Sequence, residues 1–511
     1  MSSAPPPRLA LRGPLREALA REALERLPSD ALSSFLLERR WFGGKGSVPR
    51  VVRLRDSIPL FDEWSAVTRL EVDPQGPISA TYQLPLAVRS RDPGRFEAPS
   101  AVLATIESSQ GSGILFDALE DEEFRSRLGA VLASGARFAG PHSTWVVEPI
   151  EPGPYGEEET RLSSAEQSNS SVVYGRRAIL KLYRRIAPGE NPDVEIGEFL
   201  SRHARFANVP RLLATVRFHD EDGSSTVAAM LQEFVQSLGD GWSYALARAR
   251  EETAGQAVPT GDGSFCEAAG RLGRITRRLH EALASDREDP AFAPLPATAA
   301  DVAAWGEQAV RQVKCAGERL AERAAAGKLP EDARGLTRDC LQGLADVLSH
   351  ARALAAALGG KAGSKIRHHG DYHLGQVLVG LDGDFVILDF EGEPARPLAE
   401  RRERQSALRD AAGMLRSFSY AAAVTARNLG PRPGLEARLV QWREKAQSAF
   451  LSSYLGDHLP DFLPPSREAC HRLLALFEIE KMFYELAYEV DHRPDWVTVP
   501  LQAIRRLLDG L

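Results

Sequence analysis

Three polar side chains between residues 369 and 391, in HGDYHLGQVLVGLDGDFVILDFE, have the types and spacing that phosphate chemistry needs. Asp371 follows His369 and Gly370 on a predicted turn, and Gln376 comes five residues later. The apolar runs 377–379 and 385–388 read as short strands, and LDGD between them is a good hairpin connector. Asp389 ends the second run. A hairpin brings its two ends together, so Asp371, Gln376 and Asp389 can converge on one point. Two carboxylates and an amide oxygen there make a hard site suited to Mg²⁺ with phosphates. Asp371 could instead stay off the metal and take a proton from an attacking hydroxyl. A polar hairpin in any α/β protein is the plain alternative. HGD, then Gln, then DFE in that order is far more specific than any one of them.

This is the arrangement of a kinase catalytic loop with its metal-binding Asp, and such a loop needs a phosphate-binding cation upstream. Residues 166–183, EQSNSSVVYGRRAILKLY, offer one. Gln167, Ser168, Asn169, Ser170 and Ser171 read as a polar turn whose N–H groups can wrap a phosphate. Lys181 alternates with apolar neighbours on the second of two predicted strands, which fits the lysine that pairs with the α and β phosphates of ATP. An edge hairpin with a snorkelling lysine is the alternative. Residues 193–207 read as a helix, on which one acidic residue, Glu195 or Glu198, should pair with Lys181. A strand–turn–strand over 212–235 ends in a predicted hinge at 231–235. Main-chain groups there, around Gln232 and Phe234, would meet the adenine edge.

The stretch 369–391 resembles the catalytic segment of the aminoglycoside and choline phosphotransferase superfamily, whose core is protein-kinase-like and whose usual Asn is Gln376 here. HGDYHLGQ with DFEGEP is similar to the narrower maltokinase form. So are RWFGGK at 40–45, LRDAAGMLRSFSYAA at 408–422 and FEIEKMFYELAYEVDHRPDW at 477–496. The resemblance implies an α+β, bilobal, protein-kinase-like fold with an extra cap. The expected division is a cap over 1–135, an ATP-binding lobe over 136–236 and a helical lobe over 237–511. The resemblance selects Glu195, from the N-P-D-x-E pattern, as the partner of Lys181. It implies transfer of phosphate from ATP to the anomeric hydroxyl of maltose, giving maltose 1-phosphate for α-glucan synthesis. Asp371 would then be the base, and Gln376 and Asp389 the Mg²⁺ ligands. It also implies a possible association with a trehalose-metabolising enzyme. A glucosamine or aminoglycoside kinase and a nucleotide-binding pseudokinase are the alternatives on the same fold.

The acceptor must be chosen by the surface facing Asp371. Candidates are His373, Glu391, Glu393, Arg416, Tyr420, Glu480, Tyr484 and Tyr488. Glu480, Tyr484 and Tyr488 recur every four residues on one predicted helix stripe. A carboxylate bracketed by aromatic rings suits a sugar, and core packing is the plain alternative. The same carboxylates could pair with the ammonium of an amino sugar. Asp410 is expected to tie its helix to the catalytic loop, and His280 to be a satisfied core or surface histidine.

The elements that must position these groups are legible in outline. Residues 14–40 read as broken helix, 50–106 as an antiparallel sheet, and 114–135 as a helix. Residues 238–360 read as mostly helical, with longer linkers at 255–263 and 286–300. The proline-bearing start, MSSAPPPRLALRG, reads as a loose tail and not as a signal peptide. The turn at Gly43–Gly46 with Lys45 reads as a packed corner, because a Walker A loop needs a longer frame. The chain has 511 residues with net charge −7, which gives no global pull toward nucleic acid or anionic membrane. Its four cysteines are widely spaced, so the cytoplasm is the expected compartment. A monomer or homodimer is expected, acting on a small sugar.

Overall fold

The computed structural model describes residues 6–43, 49, 51–61, 63–73, 79–90, 98–163, 168–255, 257–258, 263–393 and 396–511. Lys45 with its glycine turn, Gln167 and part of the 255–263 linker lie outside them. The chain forms two compact units. One comprises residues 1–198 and 210–235, and the other 199–209 and 236–511.

The first unit contains two sheets. In the first sheet the order is Arg8–Ala10, Val102–Ser108, Gly111–Asp117, Ala80–Ser90, Ser65–Val72, Val52–Leu60. The proline-bearing start is therefore partly a strand: Arg8–Ala10 pairs in parallel with Thr105–Glu107. The expected helix over 114–135 also divides. Ile114, Leu115 and Phe116 are buried in the strand Gly111–Asp117, and the helix is Glu122–Leu132. The dividing signal is local. Gly111, at φ +125°, closes a hairpin, and Asp121 caps the helix by accepting from Glu123 N–H at 3.3 Å. The second sheet runs Arg137–Ala139, Ser143–Pro149, Leu212–Asp220, Ser225–Glu233, Ala178–Leu182, Ser170–Tyr174, Thr160–Leu162.

The two sheets are welded together. The strand Arg185–Ile186 leaves the second sheet and pairs with Ala80–Ser90 of the first. Ile58, Phe116 and Leu128 share one core cluster with Val172, Leu180 and Val216. Gln83 Nε2 donates to the Tyr183 carbonyl at 2.6 Å, and buried Arg184 pairs with Asp117 at 2.7 Å. The expected boundary at 135/136 thus falls inside one packed unit.

The second unit is mostly helical, with Gly241–Glu252, Phe265–Leu283, Ala299–Ala325, Arg334–Leu358, Leu408–Leu429, Leu435–Leu455, Arg467–His492 and Thr498–Asp509. Their apolar stripes explain the bundle: Leu272, Ile275 and Leu279 face inward from Phe265–Leu283, as helical spacing requires. Within this unit the strands Val377–Gly380 and Phe385–Ile387 form the expected hairpin, extended on one side by Ser237–Asp240. Asn208, from the 199–209 segment, holds the other side, accepting from Ile387 N–H at 2.8 Å and donating to Phe385 O at 2.8 Å.

Candidate active site

In the first unit, Lys181 lies on the strand Ala178–Leu182 with 9% of its surface exposed. Its Nζ is 2.8 Å from Oδ2 of Asp193, which also accepts from the Tyr183 hydroxyl at 3.1 Å. Asp193 lies two residues before Glu195, the residue to which the resemblance points, on the same short helix. Asn191 accepts from Asp193 N–H at 2.9 Å and sets the start of the short helix Pro192–Glu198, which turns fully buried Asp193 to the strand.

Ser168 is exposed, and Asn169 and Ser170 are buried. The Ser170 hydroxyl accepts from Arg184 Nε at 2.8 Å, so its side chain is anchored from behind. In the predicted hinge, Gln232 lies in the ladder opposite Ile179. Phe234 N–H donates to Arg177 O at 2.9 Å, which takes that donor away from an adenine edge.

In the second unit the turn at 369–371 is pinned by Asp410 and by the Leu388 carbonyl. Asp410 accepts from His369 N–H at 2.7 Å and from Gly370 N–H at 3.0 Å. His280, fully buried, is 3.0 Å from Asp410 and 2.9 Å from the Tyr454 hydroxyl, so it is the satisfied core histidine expected. Burial alone would push the Asp410 carboxyl up, but His368 and the bond from His280 hold it well below its ordinary range. His369 accepts from Asp371 N–H at 3.3 Å through Nδ1, so Nε2 carries the proton and donates to Leu388 O at 2.8 Å. Gly370, at φ +84°, allows the turn, and a Cβ there would lie 3.2 Å from Gly392 Cα.

Gln376 Nε2 donates to Asp389 Oδ2 at 3.0 Å, so the hairpin brings these two together as expected. Asp389 adopts φ +65°. His373 caps the turn Leu374–Gln376, accepting from Gly375 N–H at 3.0 Å, with Nε2 3.9 Å from Asp371. Burial lowers the His373 imidazole, against the opposing pull of Asp371.

Asp371 opens onto a cavity of about 420 Å³ that also receives His368, Glu393, Arg396, Arg409, Phe477, Glu480, Lys481 and Tyr484. Glu480 and Tyr484 are thus where the helix stripe places them. Glu480 pairs with Arg409 at 3.0 Å, Glu393 with Arg396 at 2.7 Å, and Asp371 faces Lys481 at 3.7 Å. Burial pushes the Glu393 carboxyl up, but bonds from Arg396 and Tyr484 bring it below its ordinary value. Burial drives the His368 imidazole down to about 4, so it faces the cavity as a neutral donor–acceptor.

His373 and Glu391 do not line this cavity. Arg401 lies over Glu391, donating to its carbonyl at 3.1 Å. Arg416 and Tyr420 do not line it either. Arg416 is 4% exposed and paired with Glu485 at 2.6 Å, and the Tyr420 hydroxyl donates to Glu489 at 3.2 Å. Both are bonded to partners on the neighbouring helix Arg467–His492.

Sequence reasoning missed Asp193, Arg396, Arg409 and Lys481. The signal for Lys481 was present, since it lies four residues after Phe477 and three before Tyr484 on one helix face.

Comparison with known proteins bears on the fold and the enzyme class. A family model described as the maltokinase N-terminal cap domain matches residues 35–121. A glucosamine kinase of Streptacidiphilus jiangxiensis is 29% identical over 469 residues, 87% of this chain and 94% of that protein. One from Mycolicibacterium smegmatis (strain ATCC 700084 / mc(2)155) is 28% identical over 351 residues, 68% of this chain and 79% of that protein. A solved glucosamine kinase in complex with glucosamine, ADP and inorganic phosphate superposes with TM-score 0.64 at 25% identity, covering 95% of this chain and all of that one. Another crystal form gives TM-score 0.66 at 24% identity, covering 96% and 99%. The fold is kinase-like with an N-terminal cap. Among the described residues, no helix is long and apolar enough to cross a membrane.

Proposed function

We propose that this ATP-dependent sugar kinase phosphorylates maltose at its anomeric hydroxyl, giving maltose 1-phosphate and ADP. One observation carries the choice. The carboxylates of Asp371, Glu393 and Glu480 each face a cation of their own, Lys481, Arg396 and Arg409. Such a cavity offers a neutral polyhydroxyl ligand both donors and acceptors, with Tyr484 as a ring for a sugar face. The cap match over 35–121 supports the same reading.

In this reaction the Asp371 carboxylate takes the proton of the acceptor hydroxyl. A bond forms from that oxygen to the γ-phosphorus as the bond to ADP breaks, with no covalent enzyme intermediate. Lys181, held by Asp193, steadies the α and β phosphates. Asp389, and Gln376 with its amide turned over so that Oε1 takes the place of the Nε2 now bonded to Asp389, would hold Mg²⁺, which when bound supplies charge neutralisation across the phosphates. The anomeric phosphate makes the product a glycosyl donor, suited to α-glucan extension in the cytoplasm.

The second reading, glucosamine as acceptor, is favoured by the names of the two relatives. The deciding measurement is ATP-dependent phosphorylation of maltose, glucose, glucosamine and kanamycin at equal concentration, with product linkage read by NMR. Preference for maltose with phosphate on the anomeric carbon is expected. Preference for glucosamine, or phosphate on another carbon, would overturn the maltose assignment and leave the kinase assignment standing.

A further inference from the structure

Lys481 is on the helix Arg467–His492, whose face Phe477, Glu480, Lys481 and Tyr484 present to the cavity. Two contacts fix that face. Arg409 packs over the Phe477 ring at 4.3 Å and pairs with Glu480 at 3.0 Å. Lys481 Nζ then lies 3.7 Å from Asp371 Oδ1 and 4.9 Å from the centre of the Tyr484 ring. That separation is too long for a hydrogen bond and short enough for a strong ion pair. Its side chain is 34% exposed. The positive charge reaches beyond Asp371, since it helps to lower both Glu393 and His373. Of the other carboxylates lining the cavity, Glu393 and Glu480 each pair with an arginine, Asp410 is bonded to His369 N–H, Gly370 N–H and His280, and Glu400 is exposed and acts on Arg396.

We infer that Lys481 determines the charge class of the acceptor. This rests on the reading of Asp371 as the base of a sugar kinase. A sugar hydroxyl delivered to Asp371 brings its neighbouring ring substituent into the space Lys481 faces. A hydroxyl there can accept from the ammonium. An ammonium there meets a like charge across a partly desolvated cavity, where Asp371, Glu393 and Glu480 each already face a cation. Lys481 therefore rejects acceptors whose amine adjoins the reacting carbon, and it does so without touching ATP.

Glucose and glucosamine test this directly, because they differ only in the group next to the anomeric carbon. Steady-state kcat/KM for both sugars is measured at pH 6.5, where the amine is protonated, for wild type, Lys481→Met, Lys481→Gln and Lys481→Arg. Thermal melts check that each variant is folded. The glucosamine-to-glucose ratio should rise tenfold or more in Lys481→Met and Lys481→Gln, stay at the wild-type value in Lys481→Arg, and leave KM for ATP unchanged. As a check that needs no variant, raising salt on the wild type should improve glucosamine use relative to glucose. An unchanged ratio in the folded neutral variants, with glucose still phosphorylated, would overturn the inference alone. So would a wild type that prefers glucosamine. A wild type that phosphorylates no sugar would overturn the kinase reading and this inference with it.

Discussion

Asp389 holds φ at +65°, a region where an L side chain is strained by about 1–3 kcal/mol. The strain is held by its surroundings. Gln376 donates to its carboxylate, and Leu388 N–H donates to Gln376 O at 2.9 Å. Strained residues that persist in this way gather at working sites, which agrees with the sequence reading of DFE. Asp371→Asn should reduce kcat by a thousandfold or more while the Kd for ATP, measured by calorimetry, changes less than threefold. A near-normal rate would remove Asp371 as the base. Asp193→Asn should raise KM for ATP about tenfold or more, because it removes a buried carboxylate charge 2.8 Å from the Lys181 ammonium. An unchanged KM for ATP in a folded Asp193→Asn variant would show that Asp193 does not position Lys181. Residue types marked the site, but their partners lay beyond one-dimensional reach. Helix spacing did not single out Asp193, whose approach to Lys181 depends on how the Asn191 cap sets the first turn.

The helix Leu408–Leu429 is the backplate of the turn that carries Asp371. Asp410 holds His369 and Gly370, the Ser417 hydroxyl accepts from Leu374 N–H at 3.0 Å, and a Cβ at Gly413 would meet Tyr372 O at 2.6 Å. The same helix is stapled to Arg467–His492 by Arg409–Glu480, Arg416–Glu485 and Tyr420–Glu489. Asp410→Ala leaves two buried N–H groups unmet, so it should destabilise the fold by about 3 kcal/mol or more and reduce kcat. Denaturant titration and steady-state rates measure both effects, and a stable, fully active variant would contradict this. Along the staple, burial raises the Glu478 carboxyl to about 7, with Glu485 adding and Arg416 opposing. Between the ordinary glutamate value and about 7 the folded state keeps a proton that the unfolded chain has released, so stability falls as pH rises across that window. Glu478→Gln should therefore match wild type near pH 4.5 and exceed it by up to about 3 kcal/mol at pH 8. Equal unfolding free energies at pH 8 would refute this. Element type was readable here from 3.6-residue periodicity. Which faces meet was not, so Arg416 and Tyr420 read as groups that could reach an acceptor, and their bonds to Glu485 and Glu489 went unforeseen.

At the scale of the whole chain, the sequence showed a sheet-rich first half and a helical second half, but not that cap and ATP-binding lobe pack as one unit. Long-range burial decides that, and alternation along a strand does not say which sheet covers it. Removing residues 1–110 would strip Arg185–Ile186 of its partner strand and open the core around Leu180 and Val216. The truncated chain should be insoluble or melt well below the intact one, whereas a soluble product with unchanged melting temperature would show the cap to be separable. The order of strands in the second sheet has one more consequence. Ser143–Pro149 and Ala178–Leu182 share no edge, and the hairpin of Leu212–Asp220 and Ser225–Glu233 lies between them as a keystone. On the ribosome, then, two half-sheets emerge with bare edges and wait for the keystone. At roughly 5–20 residues per second, the strand carrying Lys181 stays unpaired on that side for several seconds of translation. The nascent chain is most exposed to mispairing and chaperone capture during that interval, before any of its catalytic turn has been synthesised.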